Sequence, residues 1–165
     1  MKYTKPLLKY RIRTMQLADI SDILTLFDEE VKAGRMLPRN KEDMRANIKD
    51  WRVASILDEI IGCVSLVFFN ETLCEIRSLA VTEAHRKNGL GKKLIKAALA
   101  LAKERGVENV LTLTRVPRLF EHLGFQKNEI QNFPDKVQQD CQPCLFINCC
   151  DEVALLYQIK ESEDI

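Results

Sequence analysis

The stretch Arg86-Lys87-Asn88-Gly89-Leu90-Gly91 has the residue types and spacing of an anion cradle. A strand-like segment, Cys74-Glu75-Ile76-Arg77-Ser78-Leu79-Ala80-Val81, leads into it, and a helical pattern with Leu90, Leu94, Ala98 and Leu101 on one face leads out. Glycines let a backbone approach a ligand closely, and the first N–H groups of a helix have no partner inside it. Lys92, Lys93 and Lys96 stand where cations oppose the helix dipole, a placement that a bound anion offsets. Lysines alone can equally form a solvated face, and a lone glycine pair is usually an ordinary turn. Strand, glycine turn and basic helix start together point to an anionic ligand.

A second cluster, Cys141-x2-Cys144-x4-Cys149-Cys150, has thiols close enough in sequence for a structural zinc. Adjacent Cys149 and Cys150 rarely both ligate one tetrahedral ion, and no histidine lies nearby in sequence. Reduced, structurally placed thiols are the favoured reading, and no metal is expected. His85 and His122 are isolated and read as solvent-facing or packing residues.

The elements that must position these residues follow from periodicity. Tyr10 to Arg13 reads as a first strand. Ile20, Ile23, Leu24, Phe27 and Val31 form a helical stripe that ends at Gly34. A loop from Arg35 to Arg39 is broken by Pro38, and Asn40 is a plausible N-cap for a helix with Met44, Ile48 and Trp51 inward. Arg52 to Leu57 and Ile60 to Phe69 read as strands around a tight Asp58-Glu59 connection, with Leu73 to Val81 as the third strand of that meander. A helix from Gly91 to Arg105 stops at Gly106, followed by a strand from Val110 to Thr114, a short helix from Arg118 to Leu123 and a last strand from Val153 to Ile159. Gln126 to Asp151 reads as irregular. Strands first and strand–helix–strand afterwards imply an α/β (α+β) fold, a mixed sheet with helices on its faces.

At 165 residues the chain is expected to be a single domain, residues 1–165, able to bury a core unaided. A net charge of +1 leaves no footprint for a nucleic-acid or membrane partner. No apolar run approaches the roughly 20 residues that span a bilayer, and the start of the chain has too short an apolar stretch for a signal peptide. The expected location is cytoplasmic, with the six cysteines reduced.

Arg-x-x-Gly-x-Gly between a Leu-Ala-Val strand and a helix resembles the acetyl-CoA loop of the GNAT N-acetyltransferases, and Glu121-His122-Leu123-Gly124-Phe125 is similar to their late helix and turn. Within that superfamily, Leu37-Pro38-Arg39, Glu75 to Val81, Leu113-Thr114-Arg115 and Phe133-Pro134-Asp135-Lys136-Val137 resemble the acetyltransferase domain of N-acetylglutamate synthases. The resemblance implies a GNAT fold with a mostly antiparallel sheet and acetyl-CoA as co-substrate. It implies acetylation of the α-amine of L-glutamate, the first step of arginine biosynthesis, and it allows a homodimer. Another small amine, a protein N-terminus, or a non-catalytic acyl-CoA-binding module are the alternatives. Many such synthases carry an additional arginine-sensing domain, for which this chain has no room, so that site is expected to be absent.

The resemblance also carries roles for single residues. The backbone of Leu79, Ala80 and Val81 is expected to pair with the pantetheine arm, and that of Lys87, Asn88, Gly89, Leu90 and Gly91, with Lys92, to take the pyrophosphate. Arg86 either reaches a phosphate or organises the loop. Glu75, eleven residues before Arg86, is the general-base candidate; its alternative is a strand carboxylate paired with Arg77 or a lysine. Arg39 and Arg115 are the candidate partners of substrate carboxylates, with Arg77 and Lys136 as weaker ones. Where many family members place a tyrosine to protonate the leaving thiolate, this chain has Phe120, which excludes a tyrosine acid at that position.

Overall fold

The computed structural model describes residues 9–147, 150–161 and 165. Among these residues seven strands form one mixed, mostly antiparallel sheet in the order β1-β2-β3-β4-β5-β7-β6. They are β1 Arg11–Thr14, β2 Trp51–Ile56, β3 Glu59–Phe68, β4 Leu73–Val81, β5 Asn109–Thr114, β6 Gln126–Lys127 and β7 Val153–Gln158. The helices are α1 Ile20–Lys32, α2 Lys41–Ala46, α3 Leu90–Glu104, α4 Pro117–Glu121 and the single turn α5 Pro134–Lys136, which continues as a π turn over Val137–Cys141. Two units interleave along the chain: Met1–Val64 with Ser78–Leu94, and Ser65–Arg77 with Ile95–Ile165.

In the first unit the predicted stripe of α1 is its buried face. Ile20, Ile23 and Phe27 pack with Met15, Met44, Trp51, Val53, Ile60 and Cys63. Both predicted glycine stops hold. Gly34 (φ +71°) and Gly106 (φ +76°, in the second unit) take the left-handed conformation, and paired backbone bonds such as Arg35 N–H to Glu30 O and Val107 N–H to Ala102 O close the helix ends. Asn40 caps α2 as expected, its side chain accepting from the Glu42 and Asp43 amides at 2.8 and 3.2 Å. Trp51 departs from the prediction: it opens β2 and is buried there, because α2 ends at Ala46 and a 3-10 turn, Ile48–Asp50, redirects the chain. The β2–β3 turn sits one residue early, at Leu57-Asp58, with Leu57 itself at φ +54°.

The second unit builds its core between the sheet and the segment expected to be irregular. Leu73, Leu111, Phe133 and Ala154 are buried together, with Phe69, Leu113, Ile130 and Leu156 packed on them. β4 and β5 are parallel with Glu75 opposite Leu111, and β5 and β7 are antiparallel with Leu111 opposite Leu156 and Leu113 opposite Ala154. Directly paired residues share a face and the face alternates along each strand. Glu75, Arg77, Arg115 and Glu152 therefore belong to one sheet face, continuing the apolar rows of Leu73, Leu111 and Ala154.

One ion pair staples β1 to the start of α1. Arg13 grips Asp19 with Nη1 and Nη2, at 2.7 and 3.0 Å, and the Gln16 amide donates to the same carboxylate at 2.7 Å. The Arg13 bond holds the Asp19 carboxyl below the usual range against the opposing effect of burial, with the Gln16 amide adding to it. Its contribution is thus present above the ordinary carboxylate pKa and is lost as pH falls through the depressed value. Asp19→Ala should cost about 2–3 kcal/mol in denaturant unfolding at neutral pH. The difference from the wild type should shrink in strong acid.

Candidate active site

The turn before α3 is shaped by two left-handed residues, Lys87 (φ +64°) and Gly89 (φ +79°). A Cβ added at Gly89 would meet nothing within 4 Å, so that backbone faces open space. Lys93 N–H makes the first backbone bond of the helix, to Gly89 O at 3.2 Å. The N–H groups of Leu90, Gly91 and Lys92 precede it and by helix geometry have no acceptor within the helix. No acidic side chain stands in the first turn of α3, and Lys92 and Lys93 are exposed. Arg86 makes contacts within the loop and to α1. Its Nε donates to Val81 O at 3.0 Å, and its Nη2 lies 3.4 Å from Glu30 of α1, a carboxylate that also binds Arg35. Arg35, and to a lesser degree Arg86, hold the Glu30 carboxyl below the usual range.

Gly62 on β3 lets the start of α3 lie close to the sheet. A Cβ there would stand 3.0 Å from Leu94 Cδ1 and 3.1 Å from Ala80 O. Sequence reasoning missed it, although a glycine inside an apolar strand run signals close approach. The same unit contains Ser78, which takes φ +56° within β4. Its carbonyl accepts from the Cys63 thiol at 3.4 Å, and its Oγ accepts from Arg39 Nε at 2.7 Å. Arg39 also donates to Leu37 O at 3.1 Å.

The second unit carries a buried charge cluster. Arg77 and Lys136 both meet the same oxygen of Glu75, Oε2, at 2.9 and 2.8 Å. Asp140 Oδ2 in turn binds Arg77 and, at 3.1 Å, Lys136. Glu75 is 3% exposed and Lys136 6%, and both cations lie 5.8 Å from the centroid of the Phe69 ring. Two carboxylates and two cations thus balance. Glu75 is a strand carboxylate paired with both Arg77 and a lysine, with the shortest contacts at Oε2. Lys136 and Arg77 are engaged with these acids. Arg115, at the end of β5, donates from Nε to Asp151 at 2.8 Å and lies 3.6 Å from Glu152.

Residues 17–125, drawn from both units, match the family model for the acetyltransferase (GNAT) family. An uncharacterised N-acetyltransferase of Chlorobaculum tepidum is 37% identical over 88% of this chain and 94% of its own length. The chain belongs to the GNAT acetyltransferase family. It is an N-acetyltransferase, and acetyl-CoA is the family's acyl donor. An amino-acid acetyltransferase of Pasteurella multocida is 31% identical over 76% of the chain, which spans about 30% of that relative's length. The fold is that of N-acetylglutamate synthase from Neisseria gonorrhoeae, solved with coenzyme A and N-acetyl-glutamate (TM-score 0.82, 23% identity, 92% of this chain and 35% of that one). It is equally that of Rv2747 from Mycobacterium tuberculosis, solved with CoA and NLQ (TM-score 0.77, 22% identity, 91% of this chain and 99% of that one).

In this GNAT chain Phe120 is a core residue, edge-on to Phe125 at 5.2 Å. Among the described residues no three His, Cys, Asp or Glu side chains are arranged to hold a metal, and Cys149 lies outside those residues. Burial pushes the thiol of Cys74 up to about 12 and those of Cys63 and Cys141 upward. No helix among the described residues is long and apolar enough to cross a membrane. Asp140, Asp151 and Glu152 escaped the sequence reading. Only Asp140 left a signal, its i,i+4 spacing from Lys136.

The balance of the cluster is open to a direct test. Lys136→Met leaves Glu75 and Asp140 to share Arg77, an uncompensated buried charge of the kind that costs about 3–5 kcal/mol. Equilibrium denaturation should show a loss of that size, and a loss below about 1 kcal/mol would mean the cluster is not a stabilising unit.

Proposed function

We propose that the chain transfers the acetyl group of acetyl-CoA to the α-amine of L-glutamate, as one domain acting in the cytoplasm at the start of arginine biosynthesis. The observation that carries this reading is the charged sheet face: a buried carboxylate, Glu75, held at Oε2 by two cations, on the same face as an arginine, Arg115, whose carboxylate partner Asp151 is exposed. The amino-acid acetyltransferases among its relatives support the choice of substrate.

Acetyl-CoA supplies a thioester carbonyl as the electrophile. The loop from Lys87 to Gly91 fits its pyrophosphate, since unpaired helix N–H groups, an open glycine backbone and Lys92 all favour an anion there. Leu79, Ala80 and Val81 offer backbone for the pantetheine arm, and Arg86 holds the loop to Val81 and α1. Arg39 and Arg115 take carboxylates of the amino acid. Arg77 and Lys136 hold Glu75 in place. The Glu75 carboxylate accepts one proton from the substrate ammonium, directly or through water. The freed amine forms the new C–N bond as the C–S bond breaks, and the second amine proton balances the departing thiolate.

Free-thiol release from acetyl-CoA should be fastest with L-glutamate among the twenty amino acids. Equal efficiency with L-glutamine, which differs only in side-chain charge, would replace this reading with a broader amine acetyltransferase. Glu75→Gln should lower kcat by on the order of 10²–10⁴, the usual range for a lost general base, with partial relief at higher pH and little change in acetyl-CoA affinity. Wild-type kcat at neutral pH in that variant would restrict Glu75 to its ion pairs.

A further inference from the structure

Arg115 follows β5 and Glu152 precedes β7, and the pairing of Thr114 with Val153 sets the two opposite each other. Arg115 Nε is hydrogen-bonded to Asp151 Oδ1 at 2.8 Å, and its Nη1 lies 3.6 Å from Glu152 Oε1. Two consecutive carboxylates of the chain thus stand at different nitrogens of one guanidinium, the fork that a ligand carboxylate would use. We propose that Asp151 and Glu152 are specificity-determining residues, an internal carboxylate pair that competes with the acceptor's carboxylate for Arg115. The inference rests on the reading of Arg115 as a partner of the acceptor.

The two residues differ in how they compete. Asp151 is 68% exposed, and an exposed ion pair contributes little, so a ligand carboxylate can take its place at small cost. Glu152 is 32% exposed and less free to swing away, so its charge opposes a second carboxylate at the arginine unless it takes up a proton. The groups that face it are Arg115 from β5, Glu75 from β4, Lys136 from α5 and its neighbour Asp151. Asp140 and Arg77 complete the charged set through Lys136 and Glu75. Burial raises the Glu152 carboxyl, Arg115 and Lys136 lower it, and Glu75 and Asp151 raise it again, for a net upward shift. Protonation removes the competitor. Carboxylate binding at Arg115 should therefore tighten as pH falls through the raised value, and a carboxylate that binds should draw a proton onto Glu152.

The test is calorimetric titration of the full chain, saturated with CoA, with L-glutamate from mildly acidic to neutral pH. Wild type should bind more tightly toward acid. Asp151→Asn should tighten binding about twofold to fivefold at neutral pH, the range an exposed pair provides. Glu152→Gln should tighten it as well and remove the pH dependence, and Arg115→Ala should weaken it about tenfold or more. Melting temperature and CoA affinity verify that each variant is folded; should Glu152→Gln fail to fold, Asp151→Asn still decides. If Arg115→Ala weakens glutamate binding while Asp151→Asn leaves it unchanged or weakens it, the competition is overturned and the acceptor reading stands. If Arg115→Ala has no effect, the assignment of Arg115 fails and the competition fails with it.

Discussion

A lysine ammonium as buried as Lys136 requires charge compensation and hydrogen bonding together, and the second unit is arranged around meeting that requirement. Removing such ions from water costs several kcal/mol each, which only well-placed opposite charges offset. Glu75 alone would leave Arg77 and Lys136 with a surplus of positive charge. Asp140, one turn beyond Lys136 on the π turn, supplies the missing negative charge. The cluster thereby fixes the segment from Phe133 to Cys141 against β4, with Phe69 beneath both cations and the Asn70–Asp135 hydrogen bond (2.7 Å) at its rim. It also holds Glu75 in place, with the shortest contacts of both cations at Oε2.

The first unit solves a different problem, the close approach of a helix start to a strand. Gly62 leaves room for Leu90 and Leu94 of α3 next to the carbonyl of Ala80. Arg86 ties the intervening loop to Val81 and to Glu30 of α1, contacts made by the chain's own residues. Pre-formed backbone donors lose little freedom on binding, and such preorganisation is where affinity for a flexible phosphate-bearing molecule originates. The lysines at the start of α3 raise the local potential without being committed to the loop's architecture.

Arginines proved the least transparent residues of the sequence. Arg39, Arg77, Arg86 and Arg115 all stand in family-like patterns, yet their surroundings differ in kind. Arg77 meets two acids, Arg86 a carbonyl and a helix carboxylate, Arg39 the oxygens of Ser78 and Leu37 among its partners, and Arg115 Asp151 and Glu152 among its own. A guanidinium offers five donors in a fixed fork, and the partners that fill them come from distant parts of the chain. Arg77 meets a residue 63 positions later, and Arg115 one 36 positions later.

Local pattern determined much of this protein from the sequence alone. The α1 stripe, the Asn40 cap, the stops at Gly34 and Gly106 and the strand–turn–helix around Gly89 each depend on neighbours within a few residues, where conformational preference and capping act. The segment from Gln126 to Asp151 was unreadable because its order comes from elsewhere: β6 forms by pairing with β7, and α5 with its π turn is held by charges on β4. Trp51 was misplaced for a related reason, since a helical spacing of apolar residues cannot reveal where a chain turns into a strand. Tertiary structure alone decided that Arg77 and Lys136 meet on Glu75, that Asp140 completes the cluster, and that Asp151 and Glu152 stand on Arg115. Charge complementarity acts through space, over separations that no window along a sequence spans.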